Sequence, residues 1–169
     1  MSEKNQMTHF DAEGRAQMVD VSEKHSTIRI AKASGAVCMS LNAISAVKSG
    51  KTKKGDVCMV AELAGITGAK KTAELIPLCH PVELTSVNIS TEIDEENRSI
   101  LVTAIVKTTG RTGVEMEALT AVATTCLTIY DMLKSVDREM TIKDIMLLSK
   151  SGGSSGDFKR NTPEQFYTS

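Results

Sequence analysis

Charged side chains that can do acid–base chemistry stand at both ends of the segment Thr112–Lys134. Glu115 and Glu117 lie near its start, and Asp131 and Lys134 lie three residues apart at its end. Side chains at that spacing can meet on the surface of a helix, where the pair is most often an exposed ion pair. A lysine in a partly desolvated pocket instead has a lowered pKa and exchanges protons near neutrality. The pattern therefore allows a surface ion pair or a catalytic pair.

The two ends of this segment are too far apart to serve one small site within one molecule. A helix rises about 1.5 Å per residue, which puts Glu117 and Asp131 roughly 21 Å apart. If both ends do chemistry, we expect a second subunit to complete the site. Glu115 has a structural alternative, because Thr112 and Glu115 fit the capping-box pattern that starts a helix. Glu117 is not needed for that cap, and either carboxylate can accept hydrogen bonds from a purine-like ring.

A Cys-His pair stands between two prolines in the segment Ile76–Pro81. Proline fixes its own φ and keeps the preceding residue out of the helical region, so this backbone is stiff and non-helical. Leu78, Cys79 and His80 therefore lie on a rigid loop. The loop is either purely structural or grips a substrate, with His80 as hydrogen-bond donor or proton carrier.

Three lysines, Lys51, Lys53 and Lys54, come just before Asp56, which can cap a helix. Amides at a helix N-terminus favour anions, so this segment is either a solvated turn or a phosphate-binding loop. The Gly-x4-Gly-Lys-Ser/Thr pattern of a P-loop is absent.

Composition excludes several classes of protein. The chain has 169 residues, a net charge of −1, three Phe, two Tyr and no Trp, which disfavours binding to nucleic acid. No apolar run approaches the roughly 20 residues that span a bilayer. The four cysteines lack metal-finger spacing, and no signal peptide precedes them, so we expect a reducing cytoplasm and no membrane partner.

Periodicity predicts the order strand, helix, strand, strand, helix, strand. Alternating segments cover 26–40, 82–93, 99–109 and 141–148, and helical spacing covers 56–75 and 113–135. This is the split βαβ order of a ferredoxin-like α+β fold, an antiparallel sheet with helices on one face. We expect an N-terminal arm (1–25), one domain (26–150) and a flexible, glycine- and serine-rich tail (151–169).

Six short segments occur in an order and spacing that point to a family. They are Met18-Val-Asp-Val-Ser22, Lys54-Gly-Asp56, Leu75-Ile-Pro-Leu-Cys-His-Pro81, Thr112-Gly-Val-Glu-Met-Glu-Ala-Leu-Thr120, Leu127-Thr-Ile-Tyr-Asp131 followed by Lys134, and Lys150-Ser-Gly-Gly with Ser155-Gly-Asp-Phe158. Together they resemble the cyclic pyranopterin monophosphate synthase family of molybdenum cofactor biosynthesis. The resemblance runs from about Thr8 to Lys159.

The resemblance implies a lyase that converts a cyclised dihydro-GTP to cyclic pyranopterin monophosphate and releases pyrophosphate. It also implies a homohexamer, a trimer of dimers with sites at the dimer interface. By the same resemblance the catalytic residues are Asp131, Lys134 and Lys54. The substrate-binding residues are Leu78, Cys79, His80, Met116 and Glu117, with Glu115 beside them. No cofactor or protein-bound metal is implied, although Mg²⁺ can accompany the triphosphate.

A second function from another class fits the basic loop and the fold. A ferredoxin-like oligomer could bind GTP or ATP and signal without chemistry. That alternative does not explain why an Asp–Lys pair closes the long helix.

Overall fold

The computed structural model describes residues 13–50 and 55–161, which form one antiparallel sheet with helices packed against it. The strands are β1 (Thr27–Cys38), β2 (Leu84–Asp94), β3 (Ser99–Gly110), β4 (Thr141–Ser151) and β5 (Phe158–Lys159). The helices are α1 (Leu41–Lys48), α2 (Val57–Lys70), α3 (Thr72–Leu75) and α4 (Glu115–Leu133).

The strand order is β2-β3-β1-β4-β5, and every neighbouring pair is antiparallel. β1 pairs with β3 along its whole length, from Thr27 opposite Gly110 to Cys38 opposite Ser99. With α2 between β1 and β2, and α4 between β3 and β4, the connectivity is the split βαβ arrangement. The predicted ferredoxin-like α+β class is confirmed.

The core lies between the sheet and the helices α2 and α4. Strand alternation sends every second residue of β1 toward the helices, and Ala33 and Val37 are fully buried there. Gly35 occupies the same face because α4 lies directly over it: a Cβ at that position would be 2.7 Å from Cγ1 of Val122. The small residue lets the long helix approach the sheet closely.

The first long helix begins where the sequence predicts, because the Asp56 carboxylate accepts a hydrogen bond from the Met59 amide at 3.0 Å. It does not run unbroken to Leu75. The helix stops at Lys70 and a short helix restarts at Thr72, whose hydroxyl donates to the Ala69 carbonyl at 3.0 Å. A threonine hydroxyl that bonds to the preceding turn competes with regular helix geometry.

The segment after residue 150 differs from the flexible tail that its composition suggests. β4 continues to Ser151, and Phe158–Lys159 returns as β5 alongside it. The Arg160 amide and guanidinium donate to the carbonyls of Leu148 and Leu147, both at 2.8 Å. Over residues 151–161, backbone pairing therefore outweighs the local preference of glycine and serine for disorder.

Within the part of the chain that the structure describes, no helix has the length and apolar composition needed to cross a membrane.

Candidate active site

Asp131 and Lys134 meet at the C-terminal end of α4, as their spacing predicts. Lys134 Nζ donates to Asp131 Oδ1 at 2.6 Å, and the Lys134 and Asp131 side chains are 54% and 58% exposed. Ion pairs this exposed contribute little to stability. More than half of the Lys134 side chain therefore remains accessible to a ligand, while its ammonium group is bonded to Asp131.

Glu117 lies in the first turn of α4 and is only 4% exposed. Burial raises the pKa of this carboxyl group, its own backbone amide partly offsets that rise, and the nearby charge of Glu115 adds to it. Met116 beside it is half-buried. A buried carboxyl with a raised pKa can donate or accept a hydrogen bond, according to its protonation state.

The proline-bracketed loop lies close enough to Glu117 for the charge of Glu117 to act on Cys79. Leu78, Cys79 and His80 are all half-buried, and the Cys79 amide donates to the Ile76 carbonyl at 3.1 Å in a tight turn. Burial raises the pKa of the Cys79 thiol, and the charge of Glu117 raises it further. The structure thus brings the Cys-His loop and the buried carboxylate into one electrostatic environment.

Asp20, which the sequence did not point to as a site residue, lies close enough to His80 to interact with it electrostatically. Hydrogen bonds from the Ser22 hydroxyl at 2.5 Å and the Ser22 amide at 2.8 Å lower its pKa, and His80 adds a smaller electrostatic contribution. In the sequence, Asp20 stands in Met18–Ser22, one of the six segments that carry the family resemblance.

Of the two roles that the sequence allows for Glu115, the capping box with Thr112 does not form. The N-cap residue of α4 is Val114, and no side chain caps this helix end. Glu115 instead pairs with Lys150 of β4, with Nζ 3.2 Å from Oε1. The helix begins two residues later than a Thr112 cap would require, and Val114, its N-cap residue, is only 1% exposed. An ion pair to a distant strand replaces the local hydrogen bond.

A cationic cleft of about 230 Å³ opens at this uncapped helix end. Its charged lining comprises Lys24, Arg29, Arg111 and Lys150, with Glu115 as the acidic member. Unsatisfied backbone amides at a helix N-terminus add positive potential. The cleft is therefore suited to a multiply charged anion such as a phosphate chain.

No local sequence pattern points to the cleft's cations, because they come from three separate parts of the chain: residues 24–29, Arg111 and Lys150. Alternation along the strand could have pointed to Arg29, because it lies in β1 on the inward face shared with Ala31 and Ala33. A charged residue in that phase of a strand is expected to have fixed partners. Arg29 has them, since Nε donates to the Gly110 carbonyl at 3.0 Å and Nη2 to the Arg111 carbonyl at 3.1 Å.

The two ends of α4 stay separate within the protomer. Glu117 and the cleft lie at the N-terminal end, whereas Asp131 and Lys134 lie about four turns further on, roughly 21 Å along the axis. Lys54 and the neighbouring lysines of the basic loop lie outside the described residues. Among the described residues, no group of three or more His, Cys, Asp or Glu side chains is arranged to hold a metal ion.

Fold and site together define a ferredoxin-like α+β protein with a cationic cleft and a buried carboxylate at one end of its long helix, and an acid–base pair at the other. Comparison with known proteins narrows this class. Residues 18–153 match the model of the MoaC family.

Relatives of known name cover nearly the whole chain. A cyclic pyranopterin monophosphate synthase of Clostridium acetobutylicum is 54% identical over 153 residues, which are 90% of this chain and 95% of the relative. The synthase of the same name from Cereibacter sphaeroides strain KD131 is 57% identical, over 90% of this chain and 96% of the relative. That of Syntrophomonas wolfei is 56% identical, over 91% and 98%. The chain belongs to the MoaC family.

Proposed function

We propose that this chain converts a cyclised dihydro-GTP, 3',8-cyclo-7,8-dihydroguanosine triphosphate, to cyclic pyranopterin monophosphate and pyrophosphate. Its family and the names of its relatives assign it to the biosynthesis of the molybdenum cofactor, and a synthase of this kind is a lyase. One observation carries the proposal: a single helix joins a cationic cleft and a buried carboxylate to an acid–base pair.

The cleft is the proposed site of the triphosphate. Lys24, Arg29, Arg111 and Lys150 bring four positive charges against the one negative charge of Glu115. A sugar hydroxyl attacks the innermost phosphorus and gives up its proton to the proposed Asp131–Lys134 pair, a new P–O bond forms, and the bond to the bridging oxygen breaks. Pyrophosphate leaves with the electron pair of that bond, and fixed positive charge stabilises the growing charge on it. Any Mg²⁺ taking part would enter with the triphosphate.

The region around the buried Glu117, next to the cleft-lining Glu115, is the proposed site of the ring system. Glu117 would hydrogen-bond the polar edge of the base, and His80 the sugar. Leu78, Cys79 and Met116 would form the less polar walls. Support comes from the burial of Glu117 and from the shared electrostatic environment of Glu117 and Cys79. A buried carboxyl discriminates strongly against ligands that leave it unpaired.

Asp131 and Lys134 are the proposed catalytic pair. The ring rearrangement needs protons delivered to and removed from nitrogen and carbon, and a lysine oriented by a carboxylate can do both. Their contact at 2.6 Å supports this assignment. Lys54 would lie nearer the phosphates or act as a second proton donor.

The proposed assembly is a homohexamer, a trimer of dimers, in which the partner subunit brings its Asp–Lys pair to the pocket at the other end of α4. The length of α4 supports this, because one protomer holds the two groups roughly 21 Å apart. Met59 and Leu63 on α2 are 69% and 65% exposed, as expected of side chains that an interface covers. The proposed location is the cytoplasm, with no nucleic-acid or membrane partner.

The test of the function is to incubate the purified chain with the cyclised dihydro-GTP and to measure pyrophosphate and the cyclic phosphate product. Both products should form in equal amounts. Binding of GTP or of the substrate without release of pyrophosphate would favour the sensing alternative instead.

A further inference from the structure

The segment Gly152–Asp157, here called the glycine loop, is closed on itself by hydrogen bonds. The Gly152 amide donates to Asp157 Oδ1 at 3.1 Å, which ties the first residue of the loop to the last. Lys150 Nζ donates to the Ser155 hydroxyl at 2.9 Å. β5 begins directly after Asp157 and anchors the far side of the loop on β4. The loop therefore holds a defined shape at the edge of the cleft, which Ser154 and Ser155 line.

The start of the glycine loop presses on β1 at the position of Arg29. Gly152 and Gly153 have φ values of +88° and +83°, which side chains rarely adopt. A Cβ on Gly152 would lie 2.1 Å from the Ile28 carbonyl oxygen, and one on Gly153 would lie 2.0 Å from Nη1 of Arg29. Backbone atoms of the loop thus contact the guanidinium directly.

Arg29 is held from the opposite side by β3 and the turn after it. Its Nε and Nη2 donate to the carbonyls of Gly110 and Arg111, and the residue is only 8% exposed. These two bonds involve Nε and Nη2, whereas Nη1 packs against Gly153. The position of Nη1 therefore depends on the glycine loop. The Arg29 guanidinium is thus enclosed by β3, by the turn after β3 and by the glycine loop.

We propose that Asp157 is a positioning residue for anion binding: by holding the glycine loop closed, its carboxylate fixes the Arg29 guanidinium and the Lys150 ammonium in the cleft. The inference rests on the proposed function, in which the cleft receives the phosphates. Asp157 lies at the base of the loop and acts through Gly152 rather than by touching the ligand.

The test compares Asp157→Ala with Asp157→Asn, because asparagine keeps an oxygen that can accept from the Gly152 amide. We expect Asp157→Ala to raise the dissociation constant for pyrophosphate, measured by calorimetry, and the KM for the substrate by roughly fivefold to tenfold, with kcat nearly unchanged. Asp157→Asn should restore both values to within about threefold of wild type. A role in stability alone would not move pyrophosphate affinity and KM together while sparing kcat.

A second variant, at Gly153 in the glycine loop, disturbs the Arg29 guanidinium directly. Gly153→Ala places a methyl group against the guanidinium and should weaken pyrophosphate binding by about 10- to 100-fold, as expected for disturbed charge-assisted hydrogen bonds. The control is Glu96→Ala in the exposed turn between β2 and β3, which should change neither value.

Wild-type pyrophosphate affinity in Asp157→Ala would overturn the proposal, as would a wild-type chain that binds no pyrophosphate. If Asp157→Ala does not fold, Gly153→Ala decides. Failure of both to fold also overturns it, since the loop would then be a structural element of the domain. A wild-type chain that binds pyrophosphate but releases none from the substrate defeats the proposed function instead, while the binding experiment still tests the loop.

Discussion

Replacing Lys134 with alanine should separate catalysis from stability. The Lys134–Asp131 contact is short, but both side chains are more than half exposed, so its removal costs at most about 0.5 kcal/mol. Loss of a positive charge at the helix C-terminus adds a few tenths, for a total below about 1 kcal/mol. In a chain of this length that total shifts Tm by no more than about 4 °C.

The effect on turnover should be far larger. A positioned acid–base group contributes about 10²- to 10⁴-fold, which corresponds to about 3–5 kcal/mol in the activation barrier. The measurements are pyrophosphate release under single-turnover conditions and thermal unfolding of the same preparation. Turnover of Lys134→Ala within threefold of wild type would refute the assignment of this lysine.

The chain provides a closely matched control for this experiment. Lys48 is the last residue of α1, and its Nζ lies 2.6 Å from Oε1 of Glu95, with side chains 50% and 62% exposed. Lys48→Ala therefore removes an ion pair of the same length and similar exposure from the end of another helix. It should shift Tm by a similar amount and leave turnover unchanged. Equal losses of activity in both variants would mean that the effect is not specific to the proposed site.

Three further predictions follow from the same geometry. Glu117→Gln and Lys134→Ala, each inactive alone, should recover about a quarter of wild-type activity when coexpressed, since random two-fold dimers leave one site in four intact; no recovery would argue for sites within one chain. Because burial raises the pKa of Glu117 above its ordinary value of 4.5, wild-type stability should fall as pH rises from 4.5 through the raised pKa of the folded state. The stability of Glu117→Gln relative to wild type, from urea unfolding between pH 4 and 8, should rise over that window and then level off, and a difference independent of pH contradicts the argument. Gly65→Ala should destabilise by about 1–3 kcal/mol in urea, because the added Cβ would lie 2.1 Å from the Thr125 hydroxyl oxygen, and a gain in stability would mean that the helices are less tightly packed.

The sequence alone determined the features that depend on neighbouring residues. Alternation in β2 and β3 marked the hairpin, helical spacing marked α4, and the order of these elements led to the ferredoxin-like class. The Asp131–Lys134 contact was predictable for the same reason, since two side chains three apart on a helix meet whatever surrounds them. The six short motifs, by their order and spacing along the chain, indicated the family.

Only the tertiary structure decided which distant groups share a site. Arg29 and Lys150 meet in the cleft because β1 and β4 pair, and no local pattern encodes that contact. The capping box failed for the same reason: Glu115 had a local partner in the sequence, but the fold brings it the charge of Lys150. The glycine loop, flexible by composition, is fixed by Asp157 and by the backbone of β1. Local preferences set the elements, whereas long-range pairing, which offsets the entropy of closing the intervening loops, set the chemistry.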